Sequence, residues 1–490
     1  MSAQENSLWT SGAVVKATNG SCSGSWTANG VSIDSRSVKT GDLFVALKGP
    51  NFDGHSYALA ALKQGASAAI VHSEIKDSDE YHNRLVMVKD TFAALQNLAK
   101  AARARSKAKI IAVTGSVGKT GTKEALKLGL SFLGKTHASE GNLNNHWGVP
   151  LSLARMPADA AFGVFELGMN HAGEIAPLSA MVQPHAAIIT AVEAAHLEFF
   201  NSIAEIADEK AAIIVGLLPG GTVVLPRDNA QYSRLQSFAK KFHVENIVSF
   251  GTSGDSAARL VSWSLTPDGT QVAAEFDGER ITYDMIVSGR HWALNSVAAI
   301  AAVRAVGADF HKAAGALSKL DAPEGRGARR QVPIADGGIL VIDESYNASP
   351  AAVRVLAETM AQMHQPVGGT LGAEGGGRLI MALGDMLELG TSAPALHAGL
   401  APSLKAAKID IVFTAGPLME HLHKALPQAM RGGHAADSQA LIPLVTAAVR
   451  AGDVVAVKGS HSSHMERVVT ALLALPATHG KTAARAVNGH

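Results

Sequence analysis

A single cysteine, Cys22, is all that 490 residues contain. That excludes an intramolecular disulfide and a cysteine-rich zinc site, and it fits a reducing compartment. An excess of charge is missing too. With 43 basic residues against 42 acidic ones, no counterion-releasing surface for nucleic acid is expected, and any anionic ligand must be held by local features. Nor does any window hold the roughly 18 uninterrupted apolar residues that a membrane helix requires. Residues 1–10 are polar and lack a basic segment leading into an apolar run, so no signal peptide is expected. These absences point to a cytoplasmic chain with no stable membrane insertion and no nucleic-acid partner. What is present suits a globular enzyme: hydrophobic residues make up 47% of the chain and charged residues 17%, far from the balance of disordered chains. At this length several domains, each of about 100 to 200 residues, are expected.

Short β-like runs alternate with turns over residues 31–71, with an alanine-rich helical stretch at 57–65 and a helix at about 91–106. This pattern predicts a small α/β unit that ends at a basic junction, giving a first domain of residues 1–107. A β-rich run at 110–113 leads through a glycine turn into a helical pattern from Thr120. Apolar runs at 163–166, 186–190 and 222–225 alternate with helical stretches, predicting a mostly parallel, helix-covered sheet in a central domain of residues 108–321. A long helix at about 292–306 belongs near its end, and residues 323–327 read as a linker. Residues 322–490 alternate strand and helix again, at 339–343, 379–383, 411–414 and 453–457, as a second and smaller α/β sheet. Residues 368–377 hold six glycines in ten positions and read as a mobile loop; the polar tail 477–490 reads as frayed.

Thr114-Gly115-Ser116-Val117-Gly118-Lys119-Thr120, followed by Gly121, sits between the β-rich run and a helix, which is the context a phosphate-binding loop requires. Glycines let backbone N–H groups converge on phosphate oxygens, and the helix N-terminus adds the positive end of its dipole. Lys119 supplies a point charge, and the Thr120 hydroxyl is a Mg²⁺ ligand type. The pattern is imperfect, because Val113 stands where the usual first glycine would be and Gly115 makes the turn instead. Gly480-Lys481-Thr482 repeats the triplet with no strand before it, so it is not read as a nucleotide site.

Further ordered motifs accompany this loop. They are Asp34-Ser35-Arg36 with 41–44, Gly141-Asn142-Leu143-Asn144-Asn145 with 148–151, Glu166-Leu167-Gly168-Met169-Asn170, 195–198, 291–295, Asp343-Glu344-Ser345-Tyr346-Asn347, and 383–390. Together they resemble the Mur ligases over nearly the whole chain, and within that family the branch that handles D-alanyl-D-alanine. The resemblance implies an α/β protein of three domains: a small N-terminal UDP-binding domain, a central P-loop ATPase domain and a C-terminal Rossmann-like domain. It implies ATP and Mg²⁺, and as small-molecule partners UDP-N-acetylmuramoyl-tripeptide and D-alanyl-D-alanine, handled by a monomer in peptidoglycan synthesis. It also implies the chemistry: the substrate carboxylate attacks the γ-phosphate, the amine attacks the resulting acyl phosphate, and phosphate leaves.

Phosphoryl transfer between two anions demands charge neutralisation, so oxygen-rich or imidazole side chains are the candidates. Glu166 ends an apolar strand at the sheet edge where α/β ligand sites form, and by resemblance it faces Mg²⁺ beside Thr120. By itself it would read as a solvated residue. His196 corresponds to a ligand of a second Mg²⁺, an unusual role for imidazole, and alone would read as structural. Lys210 matches the lysine that Mur ligases are thought to carbamylate, although beside Asp208 and Glu209 it reads by itself as a surface residue. Lys119 joins Glu166, His196 and Lys210 in the expected catalytic set.

Nucleotide-contacting positions of the family match Asn295 and Arg326, and Arg326 would reach the phosphates on closure. Asp343, Tyr346 and Asn347 follow a strand on the ribose or adenine side, with Glu344 standing where the family often has a second aspartate. Asp34, Ser35 and Arg36 would contact uridine diphosphate, for which arginine suits the pyrophosphate; the plain alternative is a turn. Asn142 and Asn145 would line the channel between nucleotide and acyl substrate, and Lys458 with Ser460 would help place the dipeptide. An Asp-Asn-Pro-Arg motif, carried by family members that add a diamino acid, is absent from the sequence. Two rival readings stay open: another ligase of Mur or folylpolyglutamate type, and a non-catalytic P-loop nucleotide switch. The first 100 or so residues before the ATP loop argue against a folylpolyglutamate ligase.

Overall fold

Short apolar runs followed by a covering helix become parallel strands, because both faces of the strand are then shielded from water. In the computed structural model, which describes residues 7–194, 197–266, 269–335, 337–363 and 377–476, four such runs pair in chain order: Gly30–Ser32, Asp42–Val45, Ala68–Val71 and Leu85–Met87. The helix Thr91–Arg105 starts where the Asp90 carboxylate accepts from the amides of Phe92 and Ala93. Its Leu95, Leu98 and Ala102 share a core with Leu43, Val45 and Ile70, and Leu151 and Ala154 of the following segment enter the same core.

Six more parallel strands lie in the spatial order Asn246–Gly251, Thr222–Pro226, Ala186–Ile189, Lys109–Thr114, Phe162–Glu166, Thr136–Ala138. The earliest of them in the chain, Lys109–Thr114, has neighbours on both sides and a fully buried Ile110-Ile111-Ala112-Val113 stretch. Later strands are added on either side of it. That arrangement makes its carboxyl end a topological switch point, the place where open α/β sheets receive ligands. All ten of these strands lie in one compact unit, residues 1–192, 204–259 and 296–316.

The second unit comprises residues 193–203, 260–295 and 317–490. It contains the antiparallel hairpin Gly269–Phe276 and Glu279–Met285, whose turn residues Asp277 (φ 48°) and Gly278 (φ 87°) both have the left-handed conformation of a type I′ turn. Its main sheet runs in the order Ala328–Ile334, Gly337–Glu344, Val454–Lys458, Leu379–Gly384, Ile411–Ala415, Arg431–Ala435. Only the first pairing is antiparallel. Leu356 and Met360 of the helix Pro350–Met363 pack with Met381 and Leu383 on one face; Val468 and Leu472 of the helix Glu466–Leu473 pack with Val455 and Val457 on the other. The helix expected at about 292–306 spans Arg290–Ala305. Of the glycine-rich stretch 368–377, all but Gly377 lies outside the described residues, as do the tail from 477 and the Gly480-Lys481-Thr482 triplet. Among the described residues, no helix is long and apolar enough to cross a membrane.

Candidate functional site

The turn from Gly115 to Gly118 joins the strand Lys109–Thr114 to the helix Lys119–Ser131. Two of its residues have to be glycine. Gly115 (φ 152°) lies so close to Thr190 that a Cβ there would collide with the threonine hydroxyl, and Gly118 (φ 85°) takes the left-handed turn that starts the helix. The neighbouring strand end clamps the loop: Ser116 N donates to Ala191 O (2.8 Å), Thr190 Oγ1 to Val117 O (2.6 Å) and Thr190 N to Thr114 O (2.9 Å). Lys119 folds back so that its Nζ donates to Gly115 O at 2.6 Å, which lays the ammonium over the turn.

Glu166 lies at the end of the adjacent strand, in register with Val113, and is 2% exposed. Each of its carboxylate oxygens accepts one hydrogen bond. Thr120 Oγ1 donates to Oε2 (2.9 Å) and Asn144 Nδ2 to Oε1 (2.8 Å), while Glu166 N donates to Ser139 Oγ (3.3 Å). Asn144 is held in turn by Gly168 N, which donates to its carbonyl at 2.8 Å; Gly168 has no room for a Cβ against the Asn144 side chain. Thr120 and Glu166 thus present two hard oxygen donors side by side.

Lys210 is the surprise of this unit. Read from its neighbours it is a surface residue, yet on the helix Ile203–Ala211 it is 1% exposed. Burial, reinforced by the nearby positive charge of Lys119, holds its ammonium well below the usual lysine range, with Glu209 pulling the other way. The Glu209 carboxylate has two amide partners of its own, Gly173 N and Ile175 N, each at 2.7 Å. His196 lies outside the described residues.

Asp34 and Arg36 pair with each other. Arg36 Nε and Nη2 donate to the Asp34 carboxylate at 3.0 and 2.7 Å, the guanidinium is largely exposed, and the arginine's hydrogen bonds hold the Asp34 carboxyl below its usual range. Ser35 is half-buried in the same turn, and Asn142 is exposed. Asn145 Oδ1 accepts from Trp147 N (3.1 Å) and Gly148 N (2.9 Å), fixing the start of the helix Gly148–Ala154.

In the second unit, Asp343 organises residues 323–327 into a tight bracket. Its carboxylate accepts from Gly325 N (3.0 Å), Ser345 N (3.1 Å) and Ser345 Oγ (2.6 Å), and its carbonyl accepts from Gly327 N (2.7 Å). This bracket stacks the Arg326 guanidinium over the Tyr346 ring, 4.0 Å from its centroid. Asn347 turns its Oδ1 to Ala348 N (2.8 Å). Glu344 pairs with Lys458: Nζ donates to Oε2 at 3.0 Å, with only 4% of the lysine side chain exposed. Ser460 Oγ accepts from Leu387 N (2.9 Å) and so ties down the 383–390 motif. Asn295 stands on the helix Arg290–Ala305, which also carries His291, whose pKa burial lowers.

The structure therefore brings Lys119, Thr120, Glu166 and Lys210 onto neighbouring elements of one unit, and Arg326, Asp343 and Tyr346 into one cluster of the other. Sequence reasoning missed Ser139, Asn144, Thr190 and the fully buried Lys123. Asn144 stands inside the Gly141–Asn145 motif, but nothing local marks it rather than Asn142 or Asn145 as the partner of Glu166.

Three family models match in succession: Mur ligase family, catalytic domain, at residues 27–103; Mur ligase middle domain at 113–303; and Mur ligase, glutamate ligase domain, at 329–461. The UDP-N-acetylmuramoyl-tripeptide--D-alanyl-D-alanine ligase of Rickettsia prowazekii is 33% identical over 462 residues, covering 94% of this chain and 99% of that protein. Among solved structures, MurF from Acinetobacter baumannii matches with a TM-score of 0.81 at 28% identity, over 95% of this chain and 98% of its own. The MurF ligase from Thermotoga maritima in complex with ADP gives 0.74 at 27% identity, over 91% and 97%.

Proposed function

The chain belongs to the Mur ligase family, and from that premise we propose that it joins D-alanyl-D-alanine to UDP-N-acetylmuramoyl-tripeptide, with ATP converted to ADP and phosphate. The observation that carries the reading is the glycine turn with Lys119 curled over it and the Thr120–Glu166 pair beside it, in a chain that the Rickettsia ligase parallels almost end to end. A loop of this shape at a sheet switch point gathers backbone N–H groups on a triphosphate. The ADP complex of the Thermotoga relative supports the same choice of nucleotide.

On this reading residues 1–107 hold the UDP-sugar, 108–321 the ATP and 322–490 close over the nucleotide, in a cytoplasmic monomer. Asp34, Ser35 and Arg36 serve the uridine diphosphate; Asn142 and Asn145 serve the acyl substrate, and Lys458 and Ser460 the dipeptide. Asn295, Arg326, Asp343, Tyr346 and Asn347 serve the nucleotide. The substrate carboxylate displaces ADP from the γ-phosphate, forming an acyl phosphate; the dipeptide amine then attacks that carbonyl, loses a proton and expels phosphate. Lys119 neutralises charge on the transferred phosphoryl group.

Thr120 Oγ1 and the Glu166 carboxylate fit Mg²⁺, being paired hard oxygen donors, and His196 and a carbamylated Lys210 complete the metal set of this reading. When bound, the ion draws charge from the phosphate oxygens. The uncharged amine is the form of lysine that reacts with CO₂, so the depressed proton affinity of Lys210 supports its carbamylation.

The test supplies ATP, Mg²⁺ and UDP-muramoyl-tripeptide, then compares phosphate release with D-alanyl-D-alanine, D-glutamate or a diamino acid added. Release that depends on the dipeptide is expected. Equal turnover with no amine, or turnover with D-glutamate alone, overturns the reading.

A further inference from the structure

Lys123 is fully buried, one helical turn beyond Thr120, and it belongs to none of the roles assigned above. Its Nζ donates to Ser139 O at 3.0 Å and pairs with Glu124 Oε1 at 2.8 Å. Taking an ammonium out of water is costly unless its partners are well placed, and an apolar side chain of similar volume would fill the same space without that penalty. What the amine supplies instead is a fixed point for Ser139. That residue sits at the head of the segment that wraps Glu166. Ser139 N donates to Val164 O (2.9 Å), Ser139 Oγ accepts from Glu166 N, and five residues on Asn144 Nδ2 donates to Glu166 Oε1. One helix therefore touches Glu166 twice: directly through Thr120, and through Lys123 by way of the 139–145 segment.

We propose that Lys123 is a positioning residue of the phosphoryl-transfer site, whose buried ammonium fastens the 139–145 segment to the phosphate-loop helix and so sets Glu166 against Thr120. The same fastening keeps Asn142 and Asn145, on the acyl-substrate side, in register with the nucleotide side. The inference rests on the reading of Thr120 and Glu166 as the metal-facing pair of an ATP site.

Calorimetry on the full chain tests it, comparing binding of a non-hydrolysable ATP analogue with Mg²⁺ present and with the metal chelated, beside phosphate release. Lys123→Met is expected to bind the metal-free analogue as wild type does, while metal-dependent affinity and kcat each fall roughly 10- to 100-fold, the usual effect of losing a group that orients a metal ligand. Ser139→Ala, which removes the acceptor for Glu166 N, is expected to act in the same direction, and the double variant to lose less than the sum of the two. If Lys123→Met does not fold, Glu124→Gln takes its place: it keeps the lysine and removes its carboxylate partner at a partly exposed position. Unchanged metal dependence and kcat in these variants, or losses that simply add with Ser139→Ala, overturn the proposal. Wild-type phosphate release that needs no dipeptide instead brings down the functional reading beneath it.

Discussion

The Thr120 hydroxyl donates to Glu166 Oε2 across 2.9 Å, and neither residue is more than 6% exposed. A hydroxyl and a carboxylate held this way form a ready half-shell for a hard cation. Glu166→Gln keeps the shape but removes the charge, and its amide can no longer accept from both Thr120 and Asn144. Activity is expected to fall roughly 100- to 1,000-fold, the scale seen when one preorganised electrostatic group is removed from a reacting centre. Excess Mg²⁺ is expected to recover little of it. A Mg²⁺ titration of phosphate release with the variant, checked by an unchanged melting profile, decides the point.

Gly115 offers a steric test of the loop. An alanine there brings a Cβ onto the Thr190 hydroxyl at a φ of 152°, which side chains rarely adopt. Backbone strain of about 1 to 3 kcal/mol weakens nucleotide affinity by roughly 5- to 150-fold if it falls on the bound conformation. Adding Thr190→Ala removes the collision but not the φ penalty, so partial recovery is expected. Titration with a fluorescent ATP analogue reads both; wild-type affinity in Gly115→Ala would mean that the loop has another conformation.

How far the sequence reveals these positions depends on how local their causes are. The glycine turn between strand and helix is a local pattern, and it is found where the motif puts it. Glu166 follows from an apolar run of the right length. Asp208 and Glu209 beside Lys210 suggest solvent, whereas the resemblance places the lysine in the site and the helix buries it. Ile206, Ala207, Glu209, Lys210 and Ala211 are buried, Glu209 with its carboxylate on two backbone amides, whereas Asp208 points outward to Arg234. Helical phase, not neighbour identity, carried that signal. The Asp277-Gly278 dipeptide is a local hairpin signal, and the strands on either side of it pair as that signal requires. The bracket at 323–327 had no local signal at all, since its partner Asp343 is supplied by a strand some 16 to 20 residues further on.

Burial of Lys210 gives a pH signature. Its folded pKa lies below the unfolded value of roughly 10.4, so between the two the unfolded chain binds a proton that the folded chain does not, and stability rises with pH across that window. Below the folded pKa the full penalty of the buried amine remains. Replacing the lysine removes the whole effect: Lys210→Met is expected to be more stable than wild type near neutral pH, with the difference shrinking as pH climbs toward the unfolded lysine value. Urea midpoints of the two proteins, compared under CO₂-free conditions from neutral to alkaline pH, report it directly. A gap that stays constant or widens would place the amine in water.

The pair formed by Glu344 and Lys458 separates stability from fold pattern. Both are at the ends of adjacent parallel strands, in register, and the lysine side chain is almost wholly shielded. Removing one partner strands the other charge away from water, which costs about 3 to 5 kcal/mol, whereas replacing both by apolar groups of similar volume is often neutral or stabilising. Glu344→Ala is therefore expected to lower the unfolding free energy by that order, and Glu344→Leu combined with Lys458→Met to recover most of it. Glu344→Asp shortens the side chain by one methylene. It should fall between Glu344→Ala and wild type, because it keeps a carboxylate for Lys458 but at a longer reach than the 3.0 Å of the native pair. Urea denaturation of the three variants ranks them, and equal stability of Glu344→Ala and wild type would show that water reaches Lys458.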